Sequence, residues 1–80
     1  MTVTIRLLQD GDQAVLATPE AGVFDRGADP TLADAVLRDP RHHIVAATEE
    51  GRIVGFVSAA DYLHPDKPRE VWINEVGVTP

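Results

Sequence analysis

The chain has 80 residues, the size of one small domain or a piece of one. That is enough for a modest core, since a domain of about 60 residues already buries ~60% of its unfolded surface. Thirteen acidic against seven basic side chains leave a formal charge of −6. This balance argues against nucleic acid, which needs clustered Lys and Arg, and suits a cationic small molecule or basic peptide as partner, or ordinary acidic solubility. The absence of cysteine removes disulfides, thiolate nucleophiles and Cys-based zinc sites. No run approaches ~18 apolar residues, so no membrane span is expected. The N-terminus lacks a basic region followed by an apolar one, and the expected compartment is the cytoplasm.

Val3, Ile5 and Leu7 alternate with Thr4 and Arg6, the period of a half-buried strand over residues 2–8. Asp10 followed three residues later by Gln13 forms a capping-box signal and predicts a short helix from about Gly11 to Ala17, ended by Pro19. Residues 20–29 read as a loop with Val23 and Phe24 tucked inward. Asp29 as N-cap and Pro30 at the first helical position then open a second helix. Its apolar face is Leu32, Ala33, Val36 and Leu37, and it ends before Pro40. A hairpin follows: strands over Ile44–Thr48 and Ile53–Tyr62, with Glu49-Glu50-Gly51-Arg52 as the turn and Gly51 supplying a positive φ. Gly55 within the second of these strands marks a close backbone approach. Residues 63–69 form a loop by their two prolines and their charges, and Glu70–Val78 is a last strand. The expected fold class is therefore α+β: β-α-α-β-β-β, a mainly antiparallel sheet with two helices. The strands are apolar enough that the helices are expected to cover the sheet.

Few residues suggest chemistry. His42 and His43 are neighbours on a strand, point to opposite faces and cannot chelate one metal together; no metal site is expected. His64, Asp66 and Lys67 share a polar loop that could touch a substrate, but a solvated loop is the commoner case, and no serine sits in a nucleophile-elbow context. The glycines form neither a G-x-G-x-x-G nor a P-loop pattern. Trp72, the single tryptophan, reads first as core or interface packing and second as the wall of an acceptor pocket. Glu75 interrupts the apolar "WINEVGV". It either faces solvent or, in a cleft, has its pKa raised by desolvation and serves as a general base. Gly77 beside it is the expected site of a bulge, which would free backbone N–H groups. A base next to free donors is what acyl transfer requires.

These pieces together resemble the N-terminal half of the GCN5-related N-acetyltransferase (GNAT) superfamily. "VTIRLLQDGDQAVL" is similar to its first strand and helix, "HHIVAATEEGRIVGFVSAADY" to its second and third strands, and "WINEVGVTP" to its fourth, with Ile73, Val76, Val78 and Pro80 at the family's apolar and proline positions. "YLHPDKPREVWINEVGV" resembles aminoglycoside 3-N-acetyltransferase-like members. The resemblance implies half of an acyl-CoA N-acyltransferase fold. Residues 1–80 would be the N-terminal part of one domain, cut before the glycine-rich loop that binds the acetyl-CoA pyrophosphate. It implies that the backbone of Val76, Gly77 and Val78 holds the pantetheine arm, that Glu75 acts as base, and that Phe24, Tyr62 and Trp72 line the acceptor pocket. The implied activity is acetyl transfer from acetyl-CoA to a primary amine of a small cationic acceptor by direct attack, with this chain inactive alone. The edge of the last strand would invite self-association. The alternative is a non-catalytic binding or dimerisation module with the same half-fold.

Overall fold

Alternation along Val3–Leu8 does give a strand, β1, and the full order is β1 (Val3–Leu8), α1 (Gln13–Leu16), α2 (Pro30–Arg38), β2 (His42–Glu49), β3 (Arg52–Tyr62) and β4 (Glu70–Val78). The computed structural model describes residues 2–20, 22–24 and 29–79. Part of the expected loop over residues 20–29, and Pro80, lie outside the described residues. The four strands form one antiparallel sheet in the order β1-β2-β3-β4, which is the expected α+β half-fold.

The local signals acted as physical chemistry requires at α2 and at the hairpin. Asp29 Oδ1 accepts from the N–H groups of Thr31 at 2.9 Å and Leu32 at 3.1 Å, satisfying two donors that the first helical turn cannot pair internally. Between β2 and β3, Glu49 pairs with Arg52, and both intervening residues are left-handed, Glu50 at φ 51° and Gly51 at φ 78°. A two-residue turn with both centres at positive φ is type I′, whose twist matches that of the strands.

Helix α1 departs from expectation. It starts at Gln13, because Gly11 has a φ of 109°, outside the helical range. Asp10 is not the N-cap; Asp12 is, and its side chain makes no cap bond. The carboxylate of Asp12 instead accepts from the Gln9 N–H at 2.9 Å and from the Arg6 guanidinium. The Gln9 bond first, and then Arg6, hold this carboxyl below the usual aspartate range. Gln13 Nε2 donates to Asp10 and Asp34 at 2.7 and 3.1 Å, bridging towards α2.

The core comprises Leu8, Leu16, Val23, Ile44, Ala46, Ile53 and Phe56. Register places its strand members on one face: Leu8 opposite Ile44, and Ala46 opposite Phe56. Phe24, Ala33, Val36 and Leu37 pack against this cluster, so Val23 and Phe24 turn inward as expected. Leu32 does not; at 69% exposure it rims a depression beside Leu16 and Val36. The segment before Val23 is pinned to β3, the Ile53 N–H donating to the Thr18 carbonyl at 3.0 Å and the Glu20 N–H to the Ile53 carbonyl at 2.8 Å.

Both helices lie over that one face. The expectation that helices cover the sheet therefore holds for half of it only. On the opposite face Val3, Ile5, Leu7, Val71, Ile73, Val76 and Val78 are each at least half exposed. The alternating period that makes β1 and β4 apolar on this side is real, but neither helix can reach across the sheet.

Candidate active site

Strand β4 carries one register shift against β3. Ser58 stands opposite Glu75 and Ala59 opposite Ile73, so Asn74 is the extra residue of a bulge. The bulge was expected at Gly77, which instead pairs in register with Phe56. Gly77 is needed for space: a Cβ there would run into the Val23 carbonyl oxygen and lie 2.6 Å from Phe56 Cε1. Gly55 also marks a close approach, a Cβ there lying 3.3 Å from Val78 Cγ1.

The bulge changes the parity of β4. Glu75 and Gly77 face the helices, and beyond Asn74 so do Trp72 and Glu70, since Ala60 pairs with Trp72 and Tyr62 with Glu70. Without the extra residue, Glu75 and Trp72 would point to opposite faces. With it, both line one cavity of about 520 Å³, together with Phe24, Val36, Ser58 and Tyr62. Every residue expected to serve as base or acceptor wall is thus brought to the same space. Phe24 packs tilted against Phe56 with ring centroids 4.5 Å apart, and Tyr62 tilted against Trp72 at 5.4 Å. Glu75 is exposed at the cavity wall, not enclosed as the desolvated-base reading of the sequence would have it.

The fourth strand is a sheet edge. The Thr79 N–H donates to the Val54 carbonyl at 2.9 Å. In an antiparallel ladder successive residues turn their N–H and C=O alternately to the partner and away. Gly77 therefore spends its backbone groups on β3, while Val76 and Val78 present theirs to the open edge. Of the three residues expected to hold an extended arm, two have backbone groups to offer.

The histidines each have a carboxylate neighbour. His42 Nε2 is 3.8 Å from Asp39, and His43 Nε2 is 2.7 Å from Asp61, which also lies 3.4 Å from Arg69. Bonds from the Arg41 backbone and side chain lower the pKa of Asp39. His64 Nε2 lies 2.6 Å from Glu70 Oε1, but without hydrogen-bond alignment. Lys67 also approaches Glu70, at 3.3 Å. Among the described residues no group of three or more His, Cys, Asp or Glu could hold a metal ion, and no helix is long and apolar enough to cross a membrane.

Asn74 and Ser58 are polar residues of this site that escaped the sequence reading. The one available signal for Ser58 was its position in "GFVSAA": a lone hydroxyl two residues after Phe56, on the same inward parity.

The acetyltransferase (GNAT) family matches the chain over residues 9–80. Among curated proteins no significant match is found. Of solved structures, a ribosomal-protein-alanine N-acetyltransferase from Brucella melitensis biovar Abortus 2308 superposes with a TM-score of 0.71 at 25% identity, covering 98% of this chain and 57% of its own. An aminoglycoside acetyltransferase from an uncultured soil metagenomic sample superposes with a TM-score of 0.70 at 20% identity, covering 99% and 59% respectively. The chain thus spans under three fifths of the length of these structures.

Proposed function

Because this chain belongs to the acetyltransferase (GNAT) family, we propose that it is the N-terminal part of an acetyl-CoA-dependent N-acetyltransferase acting on a primary amine of a small, cationic acceptor. The observation that carries this reading is the convergence of Glu75, Phe24, Tyr62 and Trp72 on one cavity, beside an open strand edge where Val76 and Val78 offer backbone donors and acceptors. An extended amide-bearing arm fits that edge, since it can add to β4 as a further strand would. Acetyl-CoA supplies an activated acetyl thioester. The ring faces of Tyr62 and Trp72 suit a cation, and the carboxylate of Glu75 draws the amine inward.

In this reading the amine nitrogen attacks the thioester carbonyl carbon, the C–N bond forms and the C–S bond breaks. The proton lost by nitrogen passes to Glu75, directly or through water. No acyl-enzyme is required, which accords with a chain without cysteine. Holding both partners in place supplies much of the acceleration. The pyrophosphate-binding loop of the family would follow this segment, and the 80 residues alone are expected to be inactive. The exposed apolar sheet face favours a second reading, a non-catalytic association module.

Glu75→Gln in the complete protein separates the two. With the base removed, kcat/KM for acetyl transfer is expected to fall by about 10²–10⁴-fold, while acetyl-CoA binding measured by calorimetry stays within a factor of two to three. Unchanged turnover would remove Glu75 from the mechanism. Absence of acetyl-CoA binding to the complete protein would favour the association module.

A further inference from the structure

The side-chain oxygen of Ser58 is buried and has no hydrogen-bond partner among the described residues. A buried hydroxyl left unpaired is unfavourable, so its place on a cavity wall needs a physical reason. Ser58 lines the same cavity as Glu75 and is its direct cross-strand partner. Side chains so paired have Cβ atoms roughly 5 Å apart, and one small polar group can therefore bond to both. The oxygen has almost no solvent access in this rotamer, so an acceptor would meet it by rotation about χ1 towards the cavity, a rotation that no hydrogen bond opposes.

Resting on the acetyltransferase reading above, we propose that Ser58 is a positioning residue for the acceptor: its Oγ accepts one N–H of an amine whose other N–H is held by Glu75. The neutral amine that attacks has two N–H groups and one lone pair if it is primary. Binding one N–H to Glu75 and the other to Ser58 leaves the lone pair as the only free valence, aimed away from the two strands. An amine with a single N–H cannot satisfy both residues. The Ser58–Glu75 pair thus selects primary amines by counting hydrogens, independently of the apolar surface that receives the rest of the acceptor.

The test uses benzylamine and N,N-dimethylbenzylamine as probes of the complete protein at neutral pH, where both are cationic. The first carries three N–H groups and the second only one. Binding is followed by the indole N–H resonance of Trp72, which lines the cavity. Wild type should bind benzylamine about fivefold more tightly than its dimethyl analogue, the value of one additional hydrogen bond. Ser58→Ala should weaken benzylamine by that factor and leave N,N-dimethylbenzylamine unchanged, and Ser58→Thr, which keeps the hydroxyl, should restore the preference. A general disturbance of the fold by Ser58→Ala would weaken both probes equally and would overturn the positioning role, as would an undiminished preference in that variant. If neither amine moves the Trp72 resonance of wild type, the acceptor reading of the cavity fails, and the role of Ser58 with it.

Discussion

Gly77 shows how a single residue is constrained by things far from it in sequence. Its φ is not in the left-handed region, and its place in the ladder opposite Phe56 is regular. What forbids a side chain is the Val23 carbonyl and the Phe56 ring on the core side. Backbone oxygen cannot move aside as a side-chain tip can, so Gly77→Ala should destabilise the fold by about 1–3 kcal/mol, the usual cost of forced overpacking. Chemical denaturation of the two proteins, with the slope m checked for equality, measures this. A shift of the midpoint by less than 0.5 kcal/mol equivalent would mean that the Val23 segment relaxes freely. Ser58 and Glu75 belong to the same scale: neither is informative alone, and their meaning comes from standing opposite one another.

At the scale of elements, the junction of β1 with α1 is held by one carboxylate. Asp12 accepts from the Gln9 N–H and from Arg6, and these bonds depress its pKa below the ordinary aspartate value. A group whose folded pKa is depressed stabilises the fold above its unfolded pKa, and that stabilisation is lost as the pH falls through the folded value. Asp12→Asn should therefore lower Tm at pH 7, and the gap from wild type should close progressively as the pH drops below the ordinary aspartate value. Thermal melts at pH 7, 5, 4 and 3 follow it; a gap constant across that range would assign the loss to the amide substitution itself. The contrast with α2 is instructive. There Asp29 caps its helix through two backbone N–H groups, whereas Asp12 bridges from its N-cap position back to the preceding strand.

Across the whole molecule the dominant fact is the asymmetry of the sheet. One face carries both helices and the core, and the other leaves seven large apolar side chains at least half exposed. Contiguous apolar patches of this kind mark interaction surfaces, and β4 adds an open edge. The 80-residue chain is expected to self-associate with rising concentration, and Ile5→Lys, at a position 65% exposed, should shift the equilibrium towards monomer. Sedimentation equilibrium measures both. A monodisperse wild-type monomer at high concentration would show that this surface does not pair with itself.

The sequence by itself determined the class and order of the elements. Period-two alternation, the Asp29-Pro30 start and the Glu-Gly turn are local signals, written in neighbouring residues and read without the fold. It also singled out Glu75 and Trp72 by their settings, and the family resemblance added Phe24 and Tyr62. Only the tertiary structure decided that they share one cavity. That depends on the extra residue at Asn74, which resets the parity of β4, and a bulge has no residue type that announces it. The shortened α1, the outward Leu32 and the bare sheet face were hidden for a related reason. Periodicity states which face of an element is apolar, but what covers that face is settled by where the other elements come to lie.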